Sequence, residues 1–290
     1  MTFFISSAGP ATIPGNKGEY NYMKRILSLI LIIALAAGMV VTISACGGNR
    51  SSKLICGVTE YEPMNYRDNQ GNWTGFETEF ALLVGERLGM KVEFQLIEWG
   101  NKFAELDSKS IDAIWNGFTA TAKEADGTPR INLCDMSYSY MLNTQCVVVR
   151  AERAGEFTSV ESLVGVTIAA EAGSAGETKA GELVTDSGEI IGTPAQINTF
   201  LEVKSGAVDG AVVDVILAQQ IAGSGDYTDI VIAGIDLGDE VYAIGFRKGD
   251  ELRDKVNAII RELYEEGILI EIAKKYGLDD RLVVDFSFGQ

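Results

Sequence analysis

Hydrophobic positions along this chain switch repeatedly between two periods. Short apolar runs at Leu54–Val58, Val92–Ile97, Ile111–Trp115, Val166–Ala170, Val208–Val213 and Tyr242–Phe246 predict strands. Between them the spacing becomes helical. Phe76, Phe80, Leu83, Val84 and Leu88 form one apolar stripe, with Glu77 and Glu79 in the first turn and Gly89 past the end. Asn101–Lys109 predicts a short helix. Thr193-Pro194 reads as an N-cap followed by proline at the first helical position, opening a helix to Lys204. Asp250 to Glu266 predicts a long amphipathic helix buried along Leu252, Val256, Ile259, Ile260 and Leu263. Gly267 breaks it, and a last helix runs to Tyr276, ended by Gly277. Asn69-Gln70-Gly71-Asn72 is turn chemistry.

Strands alternating with helices predict an α/β fold built on mainly parallel sheets flanked by helices. An internal echo points to two such units. Leu106-Asp107-Ser108-Lys109-Ser110-Ile111-Asp112-Ala113 resembles Leu201-Glu202-Val203-Lys204-Ser205-Gly206-Ala207-Val208-Asp209-Gly210. Each reads as a helix end, a turn and a strand beginning near an Asp, so Asp209, like Asp112, is expected to be structural.

The pattern ahead of the first strand is different. Lys24 and Arg25 lead into an almost unbroken apolar stretch, Ile26 to Val41, which closes on Ile43-Ser44-Ala45-Cys46. A short positive region, an apolar region and small residues are the parts of a secretory signal. A Cys directly after the small residues resembles the lipobox of bacterial lipoproteins, which implies Cys46 as the lipidated first residue of the mature protein. The expected division is therefore an N-terminal extension over residues 1–22 with translation starting at Met23, a signal peptide over 23–45, and a lipidated Cys46 with its polar tether over 46–53.

Composition narrows the chemistry. The whole chain carries −17; residues 1–45 hold Lys17, Lys24 and Arg25 against Glu19, so the remainder carries −19. A chain this acidic repels nucleic acid and anionic lipid, so membrane association is expected through the lipid alone. The sequence contains no histidine, which excludes His general bases, His metal ligands and Ser-His-Asp triads. Of the four cysteines, Cys56 and Cys146 lie in apolar strand-like runs and are expected to be buried free thiols. No Cys-x-x-Cys pair is present, so no metal site is expected, and nothing calls for a cofactor.

Gly117-Phe118-Thr119-Ala120-Thr121 follows a strand, the place where ligands enter α/β sheets. Thr128-Pro129-Arg130 comes next, trailed by Asp135-Met136-Ser137 and Tyr140. Together these resemble the signature of family-3 extracellular solute-binding proteins, the polar amino-acid binders of ABC importers. The spacing from Arg130 onward fits that signature. Ala122 to Gly127 lengthen the loop before it, and a gapless reading puts Glu124 at the arginine position. Gly57 to Met64, Gly71 to Glu77, Leu163 to Ile168 with Ala172 to Ala175, Ser205 to Asp214, and Arg247 to Gly249 with Gly267 resemble further family segments in family order, over nearly all of 54–278.

The resemblance implies a two-lobed type II periplasmic-binding-protein-like fold. Each lobe is a mixed, mainly parallel sheet flanked by helices, with lobe 1 at 54–146 plus 245–290 and lobe 2 at 147–244. The chain is expected to cross near Val147–Val149 and near Ala243–Gly245. It also implies a ligand site. Arg130 would hold the carboxylate of a free polar amino acid, with donors from Gly117, Thr119 and the Ser174 backbone, and Asp214 would hold the ammonium. Tyr61 and Trp99 fall where the family stacks aromatics on the ligand, Trp99 having a plain core role as its alternative. Glu60 and Glu171 lie near the expected pocket; as buried carboxylates they favour a cationic or amide side chain, with solvated rim charges as the alternative. The implied function is an extracytoplasmic, lipid-anchored, monomeric carrier that is not an enzyme and delivers its ligand to ABC permease and ATPase subunits on other chains. An amino-acid-sensing lipoprotein that signals through a partner is the alternative. A dehydratase-like enzyme on the same fold is a more distant one, against which stands the lack of a nucleophile–base pair.

Overall fold

The computed structural model describes residues 53–185 and 187–289; the expected signal, Cys46 and the tether up to Ser52 lie outside the described residues. Strands come in the order β1 (Lys53–Val58), β2 (Tyr66–Arg67), β3 (Trp73–Thr74), β4 (Lys91–Leu96), β5 (Ala113–Ile114), β6 (Asp135–Met136) and β7 (Ser139–Arg150). They continue with β8 (Thr167–Glu171), β9 (Glu189–Thr193), β10 (Gly210–Asp214), β11 (Ile230–Ile232), β12 (Asp239–Tyr242), β13 (Gly245–Phe246) and β14 (Leu282–Asp285). The helices are α1 (Phe76–Leu88), α2 (Lys102–Asp107), α3 (Ala175–Val184), α4 (Gln196–Ser205), α5 (Val215–Ile221), α6 (Leu252–Glu265) and α7 (Ile268–Lys275).

Two main sheets divide the structure. The first has the order β4-β1-β5-β13-β6, and the second β11-β7-β10-β8-β9 with β12 and β14 also on β7. The β1–β4, β1–β5, β8–β9 and β8–β10 pairs are parallel, as crossover helices require, and the β7 and β13 pairings are antiparallel. β7 is the spine. Its residues 141–144 pair with β12, and residues 145–149 pair with β10. The chain passes from the first sheet to the second between Met136, paired to β13, and Ser139, paired to β14; β7 then changes partners from β12 to β10 between Thr144 and Gln145. The return lies between Tyr242, paired to β7, and Gly245, paired to β5.

Helix α1 covers the first sheet with Phe76, Phe80, Ala81 and Val84 buried, and it ends on Gly89 in the left-handed conformation. Helix α6 buries its whole expected stripe, each aliphatic side chain contributing roughly 1.5–3 kcal/mol. Cys56, Cys134 and Cys146 are free and buried.

The internal echo is physical. The backbone N–H of Asp112 donates to Ile55 O at 2.7 Å, and Ile55 N donates back to Asp112 Oδ2 at 3.0 Å. Asp209 repeats this on Thr167, at 2.8 Å in both directions. Each Asp also receives an arginine, Arg247 on Asp112 at 3.0 Å and Arg153 on Asp209 at 2.5 Å. Both aspartates thus lock a turn to the start of the neighbouring parallel strand.

Two local expectations fail. Thr193 is not an N-cap: it ends β9, and its hydroxyl donates to the carbonyls of Ala170 and Ala195 at 3.2 and 3.0 Å, while α4 starts at Gln196. Tyr242–Phe246 is not one strand, since β12 and β13 belong to different sheets.

Candidate ligand site between the two sheets

The strand ends of the two sheets meet at a small cavity of about 10 Å³ lined by Trp99, Asn116, Gly117, Thr119, Arg130, Glu171, Ser174, Ala175, Gln196 and Asp214. That volume holds roughly one water. Anything larger than a water enters only with the two sides apart. The sides are drawn together by direct contacts. Arg130 Nη2 and Lys102 Nζ both donate to Gly173 O, at 3.1 and 2.9 Å. Gly173 has φ +75°, and a Cβ there would lie 2.7 Å from the Gly100 Cα, so only glycine fits this approach.

Arg130 is buried, and three of its five N–H groups are used. Nε donates to Glu124 Oε1 at 2.7 Å, Nη1 to Thr119 O at 3.1 Å, and Nη2 to Gly173 O. One N–H remains on each Nη, a spacing suited to a bidentate carboxylate. The lengthened loop thus brings Arg130 to the cavity and supplies its counter-ion: Glu124 bridges Arg130 and Lys102, whose Nζ lies 3.1 Å away. Lys102 is fully buried; burial, then the Arg130 charge, lowers its pKa to about 8.

Helix α3 brings its N-terminus to the same cavity. Ser174 Oγ accepts from Glu177 N at 3.0 Å, and Glu177 Oε2 accepts from Gly173 N at 2.8 Å, a cap that leaves the first-turn amides of Ala175 and Gly176 facing outward from the helix. The Ser174 amide is already spent on Glu171 O at 3.1 Å, so the helix end, not that backbone group, offers donors.

The cavity also gathers carboxylates. Asp214 sits opposite Gln145 across β7, and Glu240 opposite Asn143. Asn143 and Gln145, two residues apart on one face of the strand, each donate to both carboxylates: 2.7 and 2.6 Å to Asp214 Oδ1, 2.6 and 2.8 Å to Glu240 Oε1. Thr119 adds a bond to Glu240 Oε1 at 2.9 Å, and Gln196 donates to Asp214 Oδ2. Glu171 is buried, and its Oε1 has no hydrogen-bond partner. Burial pushes Glu171 up to about 8 and Glu240 up to about 7, Asp214's charge adding to both, and burial raises Asp214.

The residues expected at the site divide clearly. Trp99, Gly117, Thr119, Arg130, Ser174 and Asp214 border the cavity, as does Glu171. Tyr61 lies behind Gly117, its hydroxyl 2.8 Å from that of Tyr242; Gly117 has φ +52°, and a Cβ on it would meet the Tyr61 ring at 2.5 Å. Glu60 lies apart: it is exposed and paired to Arg67 at 3.2 Å. Asn143, Gln145, Gln196, Lys102 and Glu240 escaped the reading of the sequence. Only the Asn143-x-Gln145 pair, two amides on one face of an apolar run, left a trace there.

Residues 54–279 match the model of the bacterial extracellular solute-binding proteins, family 3. The chain belongs to this family. Among its relatives, the arginine-binding extracellular protein ArtP of Bacillus subtilis strain 168 is 28% identical over 255 residues, covering 85% of this chain and 96% of ArtP. The probable amino-acid-binding protein YxeM of the same organism is 30% identical over 260 residues, covering 86% and 95%. An ancestral arginine-binding protein solved with arginine superposes with a TM-score of 0.71 at 28% identity, over 78% of this chain and 98% of that one. This likeness and the two sheets support a two-lobed type II fold.

Proposed function

We propose that this chain is the substrate-binding subunit of an ABC importer, capturing a free polar amino acid between its lobes and handing it to a permease on another chain. The observation that carries this reading is the mix of opposite charges around one interlobe cavity. Arg130 and the α3 N-terminus bring donors to it, and Asp214 and Glu171 bring carboxylates. A free α-amino acid presents a carboxylate and an ammonium on one carbon, and this set of groups complements both by charge-assisted hydrogen bonds. Because the groups come from both lobes, ligand favours the closed arrangement by differential contact. Glu60, exposed and paired to Arg67, has no part in this reading, and Tyr61 acts through the position of Gly117. The carrier is monomeric, extracellular, not an enzyme, and held to the membrane by a lipid on Cys46.

Calorimetric titration with the twenty amino acids tests it. A small group binds wild type, and Arg130→Ala and Asp214→Ala each abolish binding. Silence from every amino acid with folded wild-type protein removes the reading. For the anchor, Cys46→Ala releases the protein from membranes; continued membrane association contradicts lipidation there.

A further inference from the structure

A second, larger interlobe cavity, about 250 Å³, opens beside the first, with Ala175 bordering both. Glu240 and Gln145 line it. All three donors to Glu240 converge on Oε1, and its Oε2 takes none. The amides of Asn143 and Gln145 are turned by the two carboxylates so that their NH2 groups are consumed, which leaves Asn143 Oδ1 and Gln145 Oε1 buried without a donor. Glu171 Oε1 shares that condition. These three are acceptors; the remaining buried unpaired side-chain atom among the described residues, Trp115 Nε1, is the one donor. Buried groups left unpaired in this way are costly until a partner arrives.

The charge count agrees with the hydrogen-bond count. The α-ammonium of an amino acid needs one carboxylate partner, and Asp214 with Glu171 already exceeds that need. Glu240 is a third carboxylate, placed one cavity further out. The other charged groups lining the larger cavity are Asp239, Lys123, and Lys179 with Glu182, which pair at 2.8 Å. They leave it net acidic. A neutral side chain entering there brings too few donors, and an acidic one meets repulsion. A guanidinium brings five N–H groups and no acceptor, and an ammonium three.

We infer that the larger cavity receives the side chain of the bound amino acid, that this side chain ends in a guanidinium or ammonium group, and that Glu240, through Oε2, is the residue that selects it. This rests on the preceding reading that an amino acid binds between the lobes. It adds a ligand class and a specificity residue to that reading.

Calorimetry with L-arginine and its uncharged isostere L-citrulline tests the inference on wild type and on Glu240→Gln. Wild type binds arginine at least about ten-fold more tightly than citrulline, the equivalent of one charge-assisted contact. Glu240→Gln keeps the shape of the side chain and brings the ratio to within about three-fold. Equal affinity in wild type overturns the inference, as does an undiminished ratio in the variant or a tightest ligand with a neutral or acidic side chain. In those cases the transport reading stands, because an amino acid still binds. If no amino acid binds wild type, both fall together.

Discussion

Two buried glutamates set the terms for this molecule. Glu77, near the start of α1, is fully buried, and both its oxygens are paired: Gly117 N donates to each at 2.9 Å, Asn65 Nδ2 to Oε2 at 2.8 Å, and the Tyr140 hydroxyl to Oε1. Glu171, at the end of β8, is about as deeply buried, yet one oxygen has no partner. Burial raises both, Glu77 to about 7 and Glu171 to about 8. Depth and titration do not separate them; pairing does. Glu77 ties a strand end to the core and fixes Gly117 on the cleft wall. Glu171 keeps bonding capacity in reserve, which is what a site for a cation requires.

The largest effect expected from this contrast is on stability. Glu77→Ala strips three buried donors of their acceptor and should cost about 3–5 kcal/mol in urea unfolding. Glu171→Gln replaces a half-paired buried carboxylate with a neutral amide and should change stability by less than about 1 kcal/mol, toward a gain. Equal losses at the two positions would break the contrast.

A second test uses pH. Glu77, Glu171 and Glu240 have folded pKa values raised above their ordinary 4.5, so between about 4.5 and 8 the folded state holds more protons than the unfolded one. Stability therefore falls as pH rises through that window. Lys102, lowered to about 8 from 10.5, acts in the opposite direction only above it. The melting temperature of ligand-free protein should drop from pH 5 to pH 8, with a shallower drop in Glu171→Gln. A rise over that interval would mean that these carboxyls are ionised at little cost.

The smallest effect concerns the echo between the lobes rather than the carboxylates. Lys109 has φ +67° where its counterpart Gly206 has φ +78°. Lys109→Gly relieves that left-handed strain and should stabilise by about 0.5–1 kcal/mol after the added chain entropy of glycine; a loss would show that the Lys109 side chain contributes more than its backbone strain costs.

These contrasts also mark what the sequence made legible. The apolar stripes of α1 and α6, the glycine stops and the repeated Asp turn could be read because they are local and periodic. Thr193-Pro194 misled because a short strand, diluted by Gly192, ran through the position of the presumed cap. The junction at Tyr242–Phe246 was invisible because strand partners, not residue types, divide it. At the site, Arg130 and Asp214 carry recognisable spacing. Asn143, Gln145 and Glu240 meet only through cross-strand register, which one-dimensional pattern does not reveal. Glu60, the neighbour of Tyr61 in sequence, is exposed and paired to Arg67.

The most direct test of the account measures the stabilisation that L-arginine gives to wild type, Glu77→Gln and Glu171→Gln in thermal unfolding at saturating ligand. The account predicts that Glu77→Gln starts from a lower melting temperature and keeps the full ligand increment, while Glu171→Gln keeps its starting temperature and loses part of the increment. The reverse assignment, an intact increment in Glu171→Gln and a lost one in Glu77→Gln, would contradict it.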